Sequence, residues 1–398
     1  HTFSTVNTTT VTGNGSGLTN LNGSNISSAT IASARIGTLN QGFPPSGPMD
    51  SWSFRLANIL VQNDPGMSAL ECQFMGPTLK FENDIVIAIT GANMNPKVDG
   101  KPIPLWESIE IKKDSILEMS YATVGARSYI AFSGGINTET WLGSRSTFHK
   151  AGVGGIEGKA IKDNQTIPIN KLKSKAGRKV KKEAIPEFSK DKKWQIEVVK
   201  GPNDDWIDDK GHEIFFNSKW KLQAKSDRTG YRLDGPKLSF TEKATNKSLE
   251  NGSEPSNIID QGYPAGAVNL AGQTPIILVN DGPSMGGFIN PYTVPSSAFW
   301  KLGQAKPGDT LNFIEVSVEK AQILRAEQSI ICSEESLMSF NKNETIKNEK
   351  NIFSGDSLRK LQHCFGYSLE DLELILHPMA EDAKEATGSM GDLSLIHI

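Results

Sequence analysis

The stretch Gly42–Asn58, which reads Gly-Phe-Pro-Pro-Ser-Gly-Pro-Met-Asp-Ser-Trp-Ser-Phe-Arg-Leu-Ala-Asn, opens the informative part of the chain. Its three prolines fix φ and remove backbone donors, and its two glycines can adopt positive φ, so its first half predicts a stiff, irregular loop. Asp50 is typical of a helix N-cap, and Ser51–Leu60 then predicts a short amphipathic helix. A loop that presents Ser46 and Asp50 at a helix N-terminus suits a small polar ligand, but a capped helix after a proline turn is the plainer interpretation.

Composition argues against several classes of function. The 398 residues carry a net charge of −3, which gives no broad basic field for binding nucleic acid. No apolar run is long enough to span a membrane. The three cysteines form no Cys-x-x-Cys pair and the six histidines are scattered, so neither a disulfide framework nor a metal site is predicted. This use of cysteine fits the reducing cytoplasm.

Many short runs of β-branched and aromatic residues, separated by turn residues, predict a mainly β chain. Shifts in composition divide this chain into five segments. They are a Thr-, Asn-, Ser- and Gly-rich segment expected to be loosely ordered (1–41), a first β-rich half (42–170), a lysine-dense linker expected to be solvated (171–193), a second β-rich half (194–321) and a charged helical tail (322–398).

Residues suited to chemistry concentrate in the second half, whereas a phosphate-binding loop is not found in the chain. Arg228 and Arg232 flank Gly230, and arginine forks suit carboxylates or developing oxyanions, although surface salt bridges at a turn explain them equally well. Asn257 precedes a predicted strand, and Asp281 follows an apolar one. The glycines that come after Asp281 would let backbone N–H groups approach a ligand closely. A purely structural hairpin is the alternative interpretation of this second cluster. The further candidates in these clusters are Ser226, Gly282, Ser284, Gly286 and Gly287.

These clusters and the opening loop resemble the biotin-dependent carboxyltransferase family (allophanate hydrolase subunit 2-like), which includes the carboxyltransferase region of urea carboxylase. The resemblance covers residues 42–321. Its first-half motifs are Pro-Pro-Ser-Gly-Pro-Met-Asp at 44–50, Gly-Pro-Thr-Leu-Lys-Phe at 76–81, Thr-Gly-Ala at 90–92 and Leu-Gly-Ser-Arg-Ser-Thr-Phe at 142–148. The motifs similar to the urea carboxylase branch are Ser-Asp-Arg-Thr-Gly at 226–230, Pro-Ser-Asn-Ile at 255–258 and Asp-Gly-Pro-Ser-Met-Gly-Gly-Phe at 281–288.

The resemblance implies a fold of two cyclophilin-like β-barrel halves with short helices. It also implies transfer of a carboxyl group from carboxybiotin to urea, which gives allophanate. Asp281 and Asn257 would then accept the N–H groups of urea, and Arg228 or loop amides would stabilise the biotin ureido oxygen. The other candidates, Ser46 and Asp50 included, would bind substrate. Biotin is the implied cofactor, delivered by a separate carrier domain, and ATP would be used only in a partner domain.

The family's usual entry motif is not found ahead of Gly42, and the partner half of the carboxyltransferase, the biotin carboxylase and the biotin carrier are expected as separate partners. Two other functions stay open: an ATP-dependent hydrolase subunit of the 5-oxoprolinase or allophanate hydrolase type, and a non-enzymatic β-rich binding or fibre protein. Residues 8–40 resemble phage tail-fibre repeats, and residues 356–392 resemble part of the glutamate synthase large subunit. Both ends are therefore interpreted as foreign to the central module.

Overall fold

Strands dominate the computed structural model, which describes residues 43–338. Its α-helices are α1 (Ser51–Leu60), α2 (Asp209–Asn217), α3 (Glu242–Thr245), α4 (Phe299–Gln304) and α5 (Val318–Ile331). Its strands are β1 (Leu70–Gln73), β2 (Thr78–Lys80), β3 (Ile85–Asn93), β4 (Lys97–Val98), β5 (Lys101–Pro102), β6 (Ser108–Ile111), β7 (Ile116–Glu118), β8 (Val124–Phe132), β9 (Lys193–Lys200), β10 (Trp220–Leu222), β11 (Gly230–Asp234), β12 (Asn257–Gly262), β13 (Ala267–Ala271), β14 (Thr274–Leu278), β15 (Met285–Phe288), β16 (Tyr292–Thr293) and β17 (Thr310–Glu315). The prediction of a mainly β fold with short helices is confirmed.

The first half contains two four-stranded sheets, in the orders β1-β8-β3-β6 and β2-β7-β4-β5. Side chains alternate across the central strand β3, so that Val86 and Ala88 pack in the core shared with α1. Ile87 and Ile89 pack on the opposite face, in the core that also contains Leu117 of β7. Because both faces of β3 are buried, its sequence is continuously apolar rather than alternating.

The second half closes into a barrel in the strand order β10-β11-β14-β13-β16-β9-β17, with β17 pairing back onto β10. Inward residues alternate along β9, where Trp194, Ile196 and Val198 are buried in one core. Strands β9 and β17 run parallel, and their register pairs Leu311 with Trp194. The remaining strand pairs of the barrel are antiparallel.

Helix α1 begins where the sequence predicts it. Asp50 has extended backbone angles and accepts a hydrogen bond from the Ser53 amide through its side chain, as a helix N-cap does. Leu56, Ile59 and Leu60 are fully or almost fully buried against the first sheet. The helix thus fixes the end of the loop at 43–50 relative to the first half.

Two regions of the second half differ from what the sequence predicts. The short run Leu238–Phe240 is among those from which the sequence predicts a strand, but it forms only an isolated bridge between Phe240 and Ile207, so this prediction is wrong. Strands β12 and β15 form a separate two-stranded ribbon outside the barrel, at positions that are not among the strands predicted from the sequence. Their glycine and polar content hides the strand pattern.

The segment 171–193 contacts the first half instead of meeting only solvent. Val180 is buried and its amide donates to the Trp106 carbonyl, and Ala184 packs in the core beneath α1. Leu337 forms a bridge with Val180, so residues up to 338 also belong to this packing. Helix α5 runs continuously across the predicted boundary at 321–322. The predictions for 1–41 and for the tail beyond 338 lie outside the described residues.

Candidate functional site

The loop at 43–50 is hydrogen-bonded to the residues that follow β14 in the second half. Ser46 and Gly47 both have positive φ, which turns the chain sharply at this point. The Ser46 amide donates to the Asn280 carbonyl over 3.0 Å, and the Asn280 side-chain amide donates to the Pro48 carbonyl over 2.8 Å. The predicted stiff loop therefore has its shape held by contacts from the opposite half.

Arg228 and Asp281 form a two-pronged ion pair beside this loop. Arg228 Nε donates to Asp281 Oδ2 over 2.9 Å, and Nη2 donates to Oδ1 over 3.2 Å. Ser46 Oγ donates to Asp281 Oδ1 over 2.8 Å, and Arg228 Nη2 also donates to the Gly47 carbonyl over 2.7 Å. The carboxylate is almost completely buried, whereas 25% of the Arg228 side chain is exposed. The accessible member of this pair is thus the cation.

Glu71 of β1 connects the same arginine to the first half. Its Oε1 accepts from Arg228 Nη1 over 2.9 Å and lies 3.4 Å from Arg127 Nε. Its Oε2 accepts from the Tyr129 hydroxyl and from the Met49 amide, each over 2.8 Å. Burial opposes ionisation of Glu71, but the two arginine charges and these hydrogen bonds outweigh it and hold its pKa below the ordinary value. Burial likewise disfavours the charged form of Arg228, but Glu71 and Asp281 raise its pKa.

Asp50 and Gln304 form a buried hydrogen-bonded network next to this cluster. Gln304 Oε1 accepts from the amides of Ala126 and Arg127, and its Nε2 donates to Asp50 Oδ2 over 2.7 Å and to the Arg127 carbonyl. The Asp50 amide donates to the Tyr129 hydroxyl over 2.8 Å. Burial raises the pKa of Asp50 against the opposing hydrogen bonds from Ser53 and Gln304. Asp50 is fully buried, so it caps α1 and offers no surface to a ligand.

We expect Glu71→Gln to destabilise the protein most at neutral pH. The pKa of Glu71 is lowered in the folded state, so its stabilisation is present above the unfolded pKa, ordinarily about 4.5, and is lost as pH falls through the folded pKa. Leaving Arg228 and Arg127 without this carboxylate should cost about 3 kcal/mol of the free energy of unfolding at pH 7. Urea denaturation from pH 7 to pH 3 measures the difference, which should shrink on acidification. The exposed Glu118→Gln is the matched control, and a pH-independent difference would contradict the assignment.

The structure brings together only part of the predicted site. Arg228, Asp281 and Ser46 are in direct contact, and Gly282 follows them; a Cβ there would lie 3.0 Å from the carbonyl oxygens of Thr229 and Val279. The backbone is therefore closely packed at Gly282, but the expected approach of a ligand there and the role of these residues in binding stay predictions.

The other candidates lie in two separate groups. Ser226 Oγ accepts from the Arg232 amide, and the Arg232 side chain is exposed on β11. Asn257 pairs with Phe288 in the β12–β15 ribbon, and its carbonyl accepts from Lys247 over 2.5 Å. The remaining ribbon candidates are Ser284, whose carbonyl accepts from the Tyr263 amide, and Gly286 and Gly287 on β15. The structure gives Asn257 partners other than Arg228 and Asp281, so its role as an acceptor stays a prediction.

Sequence reasoning missed Glu71, Arg127 and Tyr129. Arg127 is the clearest signal in retrospect, because it stands in the otherwise largely apolar strand β8 and is almost completely buried. A charged residue in a strand buried on both faces requires a partner, which directs attention to nearby carboxylates. Glu71 gave no comparable signal, because a single glutamate in a short edge strand is usually solvated.

Within residues 43–338, no three His, Cys, Asp or Glu side chains are grouped so that they could hold a metal ion. Cys72 and Cys332 are free and buried, and burial raises the pKa of each thiol to about 12. No helix in this described range combines the length and apolar character of a membrane span.

Comparison with known proteins gives two family matches. Residues 41–315 match the model of the carboxyltransferase domain, subdomains A and B, and residues 360–396 match the glutamate synthase central domain. The second match confirms the predicted resemblance of the tail to glutamate synthase, whereas the resemblance of residues 8–40 to tail-fibre repeats is unsupported.

Individual relatives agree with the first match. The chain is 39% identical over 303 residues to urea amidolyase of Saccharomyces cerevisiae, which covers 74% of this chain and 16% of that protein. It is 30% identical over 298 residues to a 5-oxoprolinase subunit of Escherichia coli, which covers 74% of this chain and 90% of that relative. The crystal structure of the K. lactis urea amidolyase superposes with a TM-score of 0.71 at 36% identity, over 76% of this chain and 20% of that one. The chain thus spans a small part of the urea amidolyases it matches.

Proposed function

Because the chain belongs to the carboxyltransferase domain family, we propose that it is the carboxyltransferase module of a urea carboxylase. The observation that carries the proposal is the cluster of Arg228, Asp281, Glu71 and Ser46, which joins the two halves around one partly exposed guanidinium. A reaction that develops negative charge on a small planar substrate needs such a preorganised cation.

One N–H donor of Arg228 has no partner among the described residues and is available to bind developing negative charge. Its bonds to Asp281, Glu71 and Gly47 use the Nε hydrogen, both Nη2 hydrogens and one Nη1 hydrogen. Since a guanidinium has five N–H donors, one Nη1 hydrogen remains without a partner within residues 43–338. The other bonds hold the guanidinium plane in place, so this hydrogen can be directed at an oxyanion without reorganisation.

Asp281, although almost completely buried, has one acceptor position that no described residue fills, and a urea N–H group would use it. Its Oδ1 accepts from Ser46 and Arg228, whereas its Oδ2 accepts only from Arg228 Nε within the described residues. A carboxylate oxygen has two acceptor positions, so one on Oδ2 is left. A neutral amide donor meets this need better than an anion, which the carboxylate would repel.

Biotin would reach the site attached to a separate carrier, with the partly exposed Arg228 as the group that meets it. Carboxybiotin would supply the carboxyl group, and Arg228 would bind the ureido oxygen that gains negative charge. The chain's own residues hold urea, orient it against that group and exclude water from the buried side of the cluster. The biotin carrier, the ATP-using biotin carboxylase and the partner half of the carboxyltransferase are proposed as partners, in line with the much greater length of the matched urea amidolyases.

A second candidate is a subunit of an ATP-dependent 5-oxoprolinase, because the matched region covers 90% of the Escherichia coli 5-oxoprolinase relative. The higher identity to the urea amidolyase of Saccharomyces cerevisiae, 39% against 30%, favours the first candidate.

A substrate comparison separates the two functions. The purified full chain is incubated with chemically prepared carboxybiotin and ¹³C-urea, and allophanate is followed by ¹³C NMR. We expect allophanate above the rate without protein and no reaction with 5-oxoproline in place of urea. Absence of transfer, combined with consumption of 5-oxoproline and ATP when the remaining 5-oxoprolinase subunits are added, would overturn the first candidate in favour of the second.

A further inference from the structure

The loop at 141–158 is folded compactly on itself, although it contains no long strand or helix. The amides and carbonyls of Trp141 and Ser144 bond to one another in both directions, and the Gly155 amide donates to the Arg145 carbonyl over 3.2 Å. Gly154 has positive φ, and a Cβ there would lie 2.1 Å from the Ser146 carbonyl oxygen. Such close backbone approach gives the 141–158 loop a defined shape.

Three contacts tie the 141–158 loop to both sides of the cluster. The Phe43 ring packs edge-on against Trp141, with centroids 4.9 Å apart, and against Phe148 at 6.4 Å. Phe43 lies three residues before Ser46, which bonds to Asp281. In the middle of the loop, Lys150 Nζ lies 3.8 Å from Asp227, the neighbour of Arg228. The loop therefore bridges the two halves next to Arg228 and Asp281.

Arg145 lies between Trp141 and Lys150 in the sequence of this loop and has no ion pair within the described residues. Its side chain is half-buried, and its Nε is fully buried without a hydrogen-bond partner in the described part of the chain. A guanidinium taken partly out of water normally finds a carboxylate or carbonyl acceptor. The missing partner is thus the unusual feature of this loop.

The charge of the neighbouring cluster is already balanced. Asp281 and Glu71 compensate Arg228, and Glu71 also lies against Arg127. This cluster can donate a hydrogen bond, but it offers little net positive charge to an anion. A carboxylate that enters the site must find its compensating charge elsewhere, and Arg145 is a cation without a carboxylate partner close by in the described chain.

We propose that Arg145 binds the carboxylate group of a small amide-bearing reactant or product and thereby positions it against the Arg228–Asp281 cluster. The inference rests on the proposed function, in which a neutral amide gains a carboxylate. It deepens that function by assigning a separate cation to each of the two groups that carry negative charge. Arg228 binds the oxyanion, and Arg145 binds the carboxylate. A fork of two parallel N–H donors fits a carboxylate in a fixed plane.

The test is a binding measurement that needs no catalysis. Malonamate, an amide with a carboxylate, and malonamide, its neutral counterpart, are titrated calorimetrically into the full chain and into Arg145→Gln. We expect wild type to bind malonamate more tightly than malonamide, and Arg145→Gln to bind malonamate at least about tenfold more weakly with malonamide affinity unchanged. The exposed Lys159→Gln, one residue after the same loop, controls for the general loss of one positive charge and should behave as wild type.

Three results would overturn the inference: no malonamate binding by wild type, equal weakening in Lys159→Gln, or unchanged malonamate affinity in Arg145→Gln. Equal melting temperatures of the two variants and wild type show that folding is not the cause. Malonamate binding through Arg145 without allophanate formation would remove the proposed function and keep this inference. If allophanate is formed but malonamate binding does not depend on Arg145, the proposed function is kept and this inference is removed.

Discussion

Replacing Arg228 with alanine is expected to reduce carboxyl transfer from carboxybiotin to urea by at least about a hundredfold. The side chain supplies the free N–H for the developing oxyanion and also holds Asp281, Glu71 and the Gly47 carbonyl in place. Removing it leaves two carboxylates close together without their common cation, so the free energy of unfolding should fall by about 3 kcal/mol. ¹³C NMR of allophanate formation and urea denaturation measure the two effects.

Two further variants separate chemistry from folding at this position. Arg228→Lys keeps the charge but cannot bond to Asp281 and Glu71 with a planar fork, so it should retain most of the stability and still lose most of the activity. Lys221→Ala, on an exposed position of β10, should change neither. Wild-type rates in Arg228→Lys would mean that the fork does not act on the reacting group, and the cluster would then be a structural clasp between the halves.

Gln304→Leu is expected to give one of the largest losses of stability from a single substitution in the described chain, about 3 kcal/mol or more. The amide side chain is completely buried and bonds to Asp50, to two amides and to a carbonyl of β8. Leucine has a similar size but leaves the Ala126 and Arg127 amides without acceptors in a buried place. Chemical denaturation followed by tryptophan fluorescence measures the change.

The Gln304→Glu variant makes the reason for this loss testable. A carboxylate would still accept from the two amides but would face the Asp50 carboxylate, from which Gln304 Nε2 is 2.7 Å away. Protonation of either acid restores a donor, so Gln304→Glu should approach wild-type stability as the pH is lowered from 8 to 5. A pH-independent loss in Gln304→Glu, or a loss below about 1 kcal/mol in Gln304→Leu, would show that this network contributes little.

The sequence predicted local features well where a residue type has a strong preference for one backbone conformation or one position in a helix. Proline and glycine content predicted the loop at 43–50, and Asp50 predicted the start of α1. Apolar runs located β14 and also β3, which is buried on both faces and therefore contains few polar residues. The resemblance to the carboxyltransferase family then located Arg228 and Asp281, which the structure finds in contact.

Long-range partners could not be predicted in the same way. Glu71 meets Arg228 across 157 positions of the chain, and Gln304 meets Asp50 across 254. No local pattern encodes such pairs, because they depend on how two separately folded cores pack. The same limit explains Asn257, which was grouped with Asp281 by chemistry but pairs within the ribbon of β12 and β15.

The parallel pairing of β9 with β17 has a consequence for synthesis on the ribosome. The first strand of the second half, β9, pairs with the last strand, β17, which ends at Glu315. A nascent polypeptide in which β17 has not yet been synthesised therefore contains the other strands of the barrel, but the barrel is not closed. Arg228 and Asp281 are therefore translated well before the wall that encloses their strands is complete. Such late closure predicts slow maturation and a window in which unpaired strand edges are exposed to chaperones or to neighbouring chains.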